Sequence, residues 1–319
     1  MIGTRPAFVK ILYSLEEAAY YMLRSIKPKG RTILLYLCIP VVWYVFSVFI
    51  PLITAMFYSL FEWKGGPQKS FIGIENYISL IKDFSFWEAF SHNIYLVILC
   101  IIGQIGVAFV FVLMINSRLV KLKGIHRTFG FFPSTVSAVS IGFIWMMIYD
   151  YKRGILNWIL EITGHADQTK VWLNEPGLVM FLVSIPLVWQ FIGYYMVILL
   201  SAISSVDSEI FEVAELDGAS AFQRAIYIVL PLIKNTLLVC VTLCVAGNMK
   251  AFDHIYTMTE GGPGTSSMVM AMYGYKVSFA QMNMGYGSAI SVGIFILSLI
   301  VIGGMQKALN ALMKGKGVE

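Results

Sequence analysis

The chain has 319 residues and a net charge of +5; 58% of its residues are hydrophobic and only 13% are charged. Soluble domains carry about 25% charged residues, so this composition excludes a water-soluble globule and indicates that lipid surrounds much of the chain. The basic residues stand at the ends of apolar stretches, which argues against a nucleic-acid partner. All four cysteines lie inside apolar stretches, so neither disulfides nor a metal site is predicted.

Residues 1–31 are polar and charged, and we expect them to form a cytoplasmic extension. The apolar run that follows them is far longer than the hydrophobic region of a signal peptide, so no cleavable signal peptide is predicted. Within the extension, residues 8–23 fit equally well an amphipathic helix on the membrane surface and a plain cytoplasmic segment.

Six stretches are apolar enough over about 20 residues to cross a bilayer. They cover residues 32–60, 93–115, 128–149, 178–204, 236–252 and 286–305. Pro186 is expected to kink the fourth span. The fifth span is the weakest because Asn248, Lys250 and Asp253 crowd its end.

The distribution of lysine and arginine predicts the orientation of these spans. With the N-terminus inside the cell, fifteen of the 23 basic residues fall in cytoplasmic segments and eight in outer segments. Both termini are therefore predicted to be cytoplasmic, with a transmembrane domain at residues 32–306 and a cytoplasmic tail at 307–319. The outer loop at 154–176 contains a short apolar run around Trp158, which predicts a helix lying in the membrane interface.

The cytoplasmic segment 207–234 has the pattern of two helices around a glycine turn. Asp207 or Ser208 is suited to cap the first helix, and Gly218 to end it with a positive φ. Pro231 is expected to end the second helix. The apolar face of that second helix is predicted to contain Ala221, Phe222, Ala225, Ile228 and Val229.

The first half of this hairpin is acidic, although positive charge normally gathers on the cytoplasmic side of a membrane. The acids are Glu209, Glu212, Glu215 and Asp217. One interpretation is that the hairpin docks into a groove of another protein. The alternative is a hairpin lying on lipid, which is less favourable because acids would then face an anionic leaflet.

Glu-Val-Ala at 212–214, a glycine at 218 and Ile-Val-Leu-Pro at 228–231 resemble the EAA motif of permease subunits in ABC importers. The similarity extends through Asp217, Ala219 and Gln223. Val213 and Asn235 depart from the pattern, since the family usually has alanine and often proline there. In that family the hairpin is the coupling helix, which fits a cleft on the cytoplasmic ATPase subunit. The resemblance implies coupling roles for Glu212, Ala214, Asp217, Gly218, Ile228, Leu230 and Pro231.

Three outer segments are similar to those of the carbohydrate-uptake, maltose-type branch: residues 71–87, 154–173 and 252–264, the last with its Gly-Gly-Pro loop. The resemblance implies an all-α membrane protein with the type I ABC importer permease fold and about six transmembrane helices. It implies a location in the bacterial cytoplasmic (inner) membrane. The implied function is to form half of the translocation path for a sugar or oligosaccharide.

The resemblance also implies the partners of the chain. These are a second homologous permease subunit, two ATPase subunits, an extracytoplasmic sugar-binding protein, the sugar and membrane lipid. ATP and Mg would be bound by the ATPase subunits, with no cofactor in this chain. The sequence agrees, because it has no G-x-x-x-x-G-K-[ST] phosphate loop and no credible nucleophile–base pair, so we expect a transport subunit and not an enzyme.

Polar and aromatic residues near the membrane midplane are candidates for the substrate path, because such residues are costly there unless they have a function. The candidates are Gln190, Tyr194, Tyr195, Asn248, Lys250 and Asp253. The alternative for each is a hydrogen bond between helices or an interfacial position. Lys250 and Asp253 are also spaced to pair with each other on one helix.

Two other functions remain open from the sequence. A secondary transporter or channel should show inverted repeats or buried charge relays, and neither is clear. A membrane sensor or scaffold would not need the coupling hairpin. Within the importer family, an amino-acid or phosphate importer is a further alternative.

Overall fold

The computed structural model describes residues 30–116 and 120–314. The predicted extension before residue 30, including the segment 8–23, and the last five residues of the predicted tail lie outside these described residues. The chain divides into two compact units, Met1–Ala55 and Met56–Glu319.

The first unit contributes most of helix α1, Gly30–Tyr58, which has 29 residues. At 1.5 Å per residue the helix is about 43 Å long, well beyond the roughly 30 Å of a hydrocarbon core. It continues through Pro40 and through a π-helical turn at Val45–Phe49. The first predicted span is therefore confirmed as one long helix.

The second unit contains the remaining elements. In chain order they are the strands β1 (Phe61–Trp63) and β2 (Lys69–Phe71), then the helices α2 (Glu75–Lys82), α3 (Phe84–Asn116), α4 (Lys123–Phe131), α5 (Ala138–Tyr149), α6 (Ile155–Ile162), α7 (Val179–Ser204), α8 (Ser208–Leu216), α9 (Ala221–Leu232), α10 (Lys234–Asn248), α11 (Asp253–Met258), α12 (Met270–Tyr275) and α13 (Met284–Lys314). The predicted all-α class is confirmed, and the antiparallel β1–β2 hairpin is a small addition to it.

Four of these helices are long and apolar enough to cross a membrane singly: α1, α3, α7 and α13. Two bent pairs, Lys123–Thr135 with α5 and α9 with α10, bring the total to six if each pair is one span. The predicted number of spans is therefore confirmed for the described part of the chain.

The third span differs from the straight helix that hydropathy predicted over 128–149. A 3₁₀ turn at Phe132–Thr135 follows α4, and the chain then bends by 97° before α5. The backbone at Val136 and Ser137 is extended, with ψ values of 143° and 136°. Apolar composition indicates that a segment lies within the membrane but not the direction in which it runs. Hydropathy therefore could not predict the bend.

The fifth span ends earlier than predicted. Helix α10 stops at Asn248, Lys250 lies in the link that follows, and Asp253 begins the separate helix α11. The predicted pairing of Lys250 with Asp253 on one helix is therefore wrong, and the structure records no ion pair between these two described residues.

The expected kink at Pro186 does not interrupt helix α7, which continues from Val179 to Ser204. Proline has no N–H, so the carbonyl of Leu182, four residues earlier, loses its partner within the helix. The Tyr149 hydroxyl of α5 donates a hydrogen bond to that carbonyl at 3.1 Å. A neighbouring helix thus satisfies the group that the proline leaves free.

Helix α7 lies at the centre of the second unit, where it packs against α3, α4, α5 and α10. Its contacts are close: a Cβ at Gly193 would lie 1.8 Å from the carbonyl oxygen of Gly130 on α4. Cys100, Cys240 and Cys244 are buried free thiols in this core, whereas Cys38 on α1 is exposed. Because lipid offers little hydrophobic driving force between helices, such close packing is what holds the unit together.

Candidate coupling hairpin and transport cavity

The first half of the hairpin is formed by α8 and its two ends. The Asp207 side chain caps the helix by accepting a hydrogen bond from the Glu209 N–H at 3.2 Å. At the other end Gly218 has φ +76°, and the Ala219 N–H bonds the carbonyl of Ala214 at 3.0 Å. The predicted cap and the predicted glycine turn are both confirmed.

The second half begins with a capping box that the sequence analysis missed. The Ser220 hydroxyl accepts from the Gln223 N–H at 3.2 Å, and the Gln223 side-chain oxygen accepts from the Ser220 N–H at 2.8 Å. The pattern S-x-x-Q was the available signal. Helix α9 ends at Leu232, one residue after Pro231, and a π-helical turn at Ala225–Val229 precedes that proline.

The predicted apolar face of the second helix is split between the interior and the surface. Ala225 and Val229 are buried, whereas Phe222 is 73% exposed. In the first helix Ala214, one of the predicted coupling residues, is only 6% exposed, and Leu216 is 88% exposed. The two alanines therefore face the interior of the protein, and large apolar side chains remain on the surface of the hairpin.

The predicted coupling residues differ in exposure. Glu212, Asp217 and Gly218 are exposed, whereas Ile228, Leu230 and Pro231 are half-buried. The hairpin therefore offers a carboxylate on α8, another beside the turn, and the turn itself to a partner.

The two helices of the hairpin are joined to each other and share a cavity with α3. Arg224 on α9 forms an ion pair with Glu215 on α8 at 3.5 Å. A cavity of about 430 Å³ lies beside this ion pair, and it is also lined by Glu212 and by Leu113 and Asn116 at the end of α3. The hairpin and the end of a spanning helix therefore border the same space.

A second cavity, of about 390 Å³, lies among α3, α5, α7, α10 and α11, and we call this candidate for the predicted substrate path the transport cavity. Five of the six predicted substrate-path residues line it: Tyr194, Tyr195, Asn248, Lys250 and Asp253. Its lining also includes Gln104, Phe252 and His254, which the sequence analysis did not single out. Residues far apart in sequence thus meet around one space.

Gln190, the sixth predicted residue, is not in the cavity lining. Its side-chain Nε2 donates to the carbonyl of Val136 at 2.9 Å, at the bend between α4 and α5. The alternative prediction for this residue, a hydrogen bond between helices, is therefore confirmed. Its Oε1 is buried and has no hydrogen-bond partner in the described part of the chain.

Asn93 on α3 holds the break between α10 and α11 and was missed by the sequence analysis. Its Nδ2 donates to the carbonyls of Asn248 at 2.9 Å and Met249 at 3.3 Å. Its Oδ1 accepts from the Met270 N–H at 2.9 Å. Carbonyls at the end of a helix lack hydrogen-bond donors within the helix. The fully buried Asn93 amide supplies these donors. The only indication in the sequence was that this polar residue stands at the start of the second predicted span.

Gln104, also on α3, makes a similar link at the level of the cavity. Its Nε2 donates to the carbonyl of Leu187 on α7 at 3.0 Å. Its Oε1 accepts a weak bond from the Cys244 thiol of α10 at 3.4 Å. The cavity lining is thus fixed to three helices by polar contacts.

Asp83 joins three elements at the end of α3 that is remote from the hairpin. Its Oδ1 caps α3 by accepting from the N–H groups of Ser85 at 3.0 Å and Phe86 at 3.3 Å. Its Oδ2 accepts from the hydroxyls of Tyr273 and Tyr286, each at 2.6 Å. One carboxylate therefore connects α3 with α12 and α13.

Comparison with known proteins agrees with this architecture. Residues 108–315 match the family described as binding-protein-dependent transport system inner membrane component. The chain is 32% identical to the probable ABC transporter permease protein YurN of Bacillus subtilis, over 82% of this chain and 90% of that protein. It is 32% identical to the trehalose/maltose transport system permease protein MalF of Thermococcus litoralis, over 73% of this chain and 78% of that protein.

A similar solved structure is a chain of a bacterial alginate ABC transporter in complex with an alginate pentasaccharide-bound periplasmic protein. The TM-score is 0.75 at 21% identity, covering 90% of this chain and 97% of that chain. At this identity the similarity shows the fold alone, which is that of an ABC importer permease. The relatives are named as transport permeases, so the prediction of a transport subunit and not an enzyme is confirmed. The chain belongs to the family of binding-protein-dependent transport system inner membrane components, the permease subunits of ABC transporters.

Proposed function

We propose that this permease subunit forms half of the translocation path for a sugar or oligosaccharide and is coupled to cytoplasmic ATPase subunits by its hairpin. The observation that carries the proposal is the hairpin itself: two capped helices around Gly218, with exposed carboxylates at Glu212 and Asp217 and a cavity shared with the end of α3. A named trehalose/maltose permease among its relatives supports a sugar as substrate.

The proposed complex contains a second homologous permease subunit, two ATPase subunits that bind ATP and Mg, and an extracytoplasmic sugar-binding protein. The family name itself implies dependence on a binding protein. We place the chain in the bacterial inner membrane with both termini in the cytoplasm, because most of its basic residues then lie inside.

In the proposed mechanism, ATP binding closes the two ATPase subunits, and Glu212 and the Gly218 turn carry that movement into the membrane. The route through the chain is short. Helix α9 of the hairpin meets α10 at a bend of 78°, and α10 ends at Asn248 in the lining of the transport cavity. Movement of the hairpin therefore reorients the helix that bounds the cavity, which would alternate between inward- and outward-facing states.

The transport cavity is the proposed position of the sugar in this subunit. Tyr194, Tyr195 and Asn248 offer aromatic and amide groups, and Lys250 and Asp253 offer charges of opposite sign. Aromatic surface with a few placed polar groups is the usual lining of a small-molecule site. Gln190 acts from behind this lining by holding the bend at Val136.

The experiment compares Gly218→Asp with Gly164→Asp in the complete complex, reconstituted in proteoliposomes. Both glycines have positive φ, +76° and +82°, and an added Cβ meets nothing within 4 Å at either site. The free-energy cost of holding aspartate at positive φ is therefore about the same at the two positions, about 1–2 kcal/mol. Only the Gly218 variant should lose ATP-driven sugar uptake while the protein remains inserted.

A second pair of variants tests the carboxylate. Glu212→Lys in the hairpin should abolish uptake, whereas Glu161→Lys, the same charge reversal on exposed α6, should not. Uptake that persists in the absence of any ATPase subunit would contradict the proposal and favour a secondary transporter.

A further inference from the structure

Two buried polar atoms stand out because they lack any hydrogen-bond partner. Among the described residues they are Nε2 of His254 and Oε1 of Gln190. His254 is 5% exposed and Gln190 is 3% exposed. Nearly all buried polar groups in proteins are paired, so each exception calls for a physical explanation.

Both residues belong to the surroundings of the transport cavity. His254 lines it directly, and Gln190 lies on α7 between Leu187 and Phe191, which both line it. The Gln190 amide is held in place because its Nε2 already bonds the Val136 carbonyl at 2.9 Å. The free energy that these two unpaired atoms cost is recovered only when another group bonds them.

The chemistry of the two atoms indicates what that group is. Burial lowers the pKa of His254 to about 4, against a smaller opposite effect of Asp253, so the ring is neutral and has one donor and one acceptor nitrogen. Gln190 Oε1 is an acceptor. A hydroxyl group can serve both kinds of atom, because it donates one hydrogen bond and accepts others.

The remaining lining favours a ligand without charge. Lys250 and Asp253 contribute opposite charges, and His254 contributes none. Next to His254, the ring of Phe252 lines the cavity and stacks on Tyr256 with centroids 5.2 Å apart and an interplanar angle of 18°. This fixed aromatic surface is suited to pack against the apolar face of a sugar ring.

We propose that His254 is a specificity-determining residue of the sugar path, and that it bonds a hydroxyl group of an uncharged sugar in the transport cavity, while Gln190 lies behind the lining. This inference rests on the proposed function and adds to it the residue and the charge class of the substrate.

The test uses the complete complex carrying His254→Leu or His254→Gln. Thermal unfolding is measured without sugar, and ATP-driven uptake is measured with trehalose, maltose and alginate pentasaccharide as probes. We expect wild type to import an uncharged probe faster than the charged pentasaccharide. His254→Leu should unfold at the wild-type temperature or above, because an unpaired polar atom is removed, while uptake falls about fivefold, the effect of losing one hydrogen bond. His254→Gln should keep uptake within about twofold of wild type, because it retains a donor and an acceptor.

A purely structural histidine gives a different result: His254→Leu would then lower the unfolding temperature and uptake together, which overturns the inference. Unchanged uptake in His254→Leu overturns it as well. Import of the charged pentasaccharide in preference to the other probes overturns it while leaving the proposed function intact. A wild-type complex that imports none of the three probes overturns the proposed function, and this inference with it.

Discussion

The amide of Asn93 provides a quantitative test of how the cavity is held together. Asn93→Asp keeps the size of the side chain and the acceptor for the Met270 N–H, but it replaces the Nδ2 donor by an oxygen. That oxygen then faces the carbonyls of Asn248 and Met249, which received hydrogen bonds of 2.9 and 3.3 Å. The Asn248 carbonyl keeps a bond from the Ala251 N–H at 3.3 Å, whereas no second donor to the Met249 carbonyl is found among residues 30–116 and 120–314.

The expected loss of stability follows from these contacts. Two lost bonds amount to about 2 kcal/mol, and burial of a repelled or newly protonated carboxyl adds about 1 kcal/mol or more. A loss of about 3 kcal/mol lowers the unfolding temperature of a domain of this size by roughly 6–12 °C. Thermal unfolding of the purified complex in detergent measures it.

Asn157 provides the matched control. It is also buried, and its Nδ2 likewise donates to two carbonyls, those of Tyr151 and Lys170, each at 3.0 Å. Asn157→Asp should therefore lower the unfolding temperature by a similar amount. It should leave sugar uptake intact at temperatures where both variants are folded, whereas Asn93→Asp should not. Equal uptake by the two variants, or an unfolding temperature of Asn93→Asp that matches wild type, would refute the reasoning.

Three further variants test other contacts. Asp83→Asn keeps an acceptor to cap α3 but replaces a carboxylate that receives two tyrosine hydroxyls, so the complex should lose about 1.5–3 kcal/mol of stability, measured by thermal unfolding. Tyr149→Phe leaves the Leu182 carbonyl unpaired and should cost about 1–3 kcal/mol in the same assay. Ser220→Ala removes the hydroxyl that bonds the Gln223 N–H. It should weaken the start of α9 by about 1 kcal/mol, seen as faster amide hydrogen exchange there with unchanged exchange in α7.

The parts of the fold that could be predicted are those decided by local physics. The six apolar stretches correspond to four long helices and two bent pairs in the described part of the chain, because hydrophobic length determines whether a segment can cross lipid. The hairpin was predictable because a cap at Asp207 and a positive φ at Gly218 are set by residues next to each other in sequence. Five of the six polar candidates for the substrate path line one cavity, and their role there stays a prediction.

The features that could not be predicted depend on contacts between distant residues. Asn93 meets Asn248 across 155 positions and Met270 across 177, and no pattern in one sequence reports such a pairing. The motif implied a coupling role for Ala214 but not the direction in which its side chain faces, and the structure buries it. The 97° bend after Thr135 was missed for the same reason, because it also involves a contact between distant residues. The Val136 carbonyl in the bend accepts a hydrogen bond from Gln190 on α7.

Helix α3 reaches all the elements that the proposed coupling involves. Its one end, at Leu113 and Asn116, lines the space beside the hairpin; its middle bonds α7 and α10 through Gln104; and Asn93 holds the far end of α10. Helix α10 is thus held at its end by α3, and in the proposed mechanism it is driven at its start by the hairpin. We expect such a helix to pivot, with the links at Ile233 and after Asn248 absorbing the change. Because the pivot end lies in the cavity lining, weakening Asn93 should separate ATP hydrolysis from sugar movement, whereas damage to Gly218 should prevent the hairpin from being driven at all.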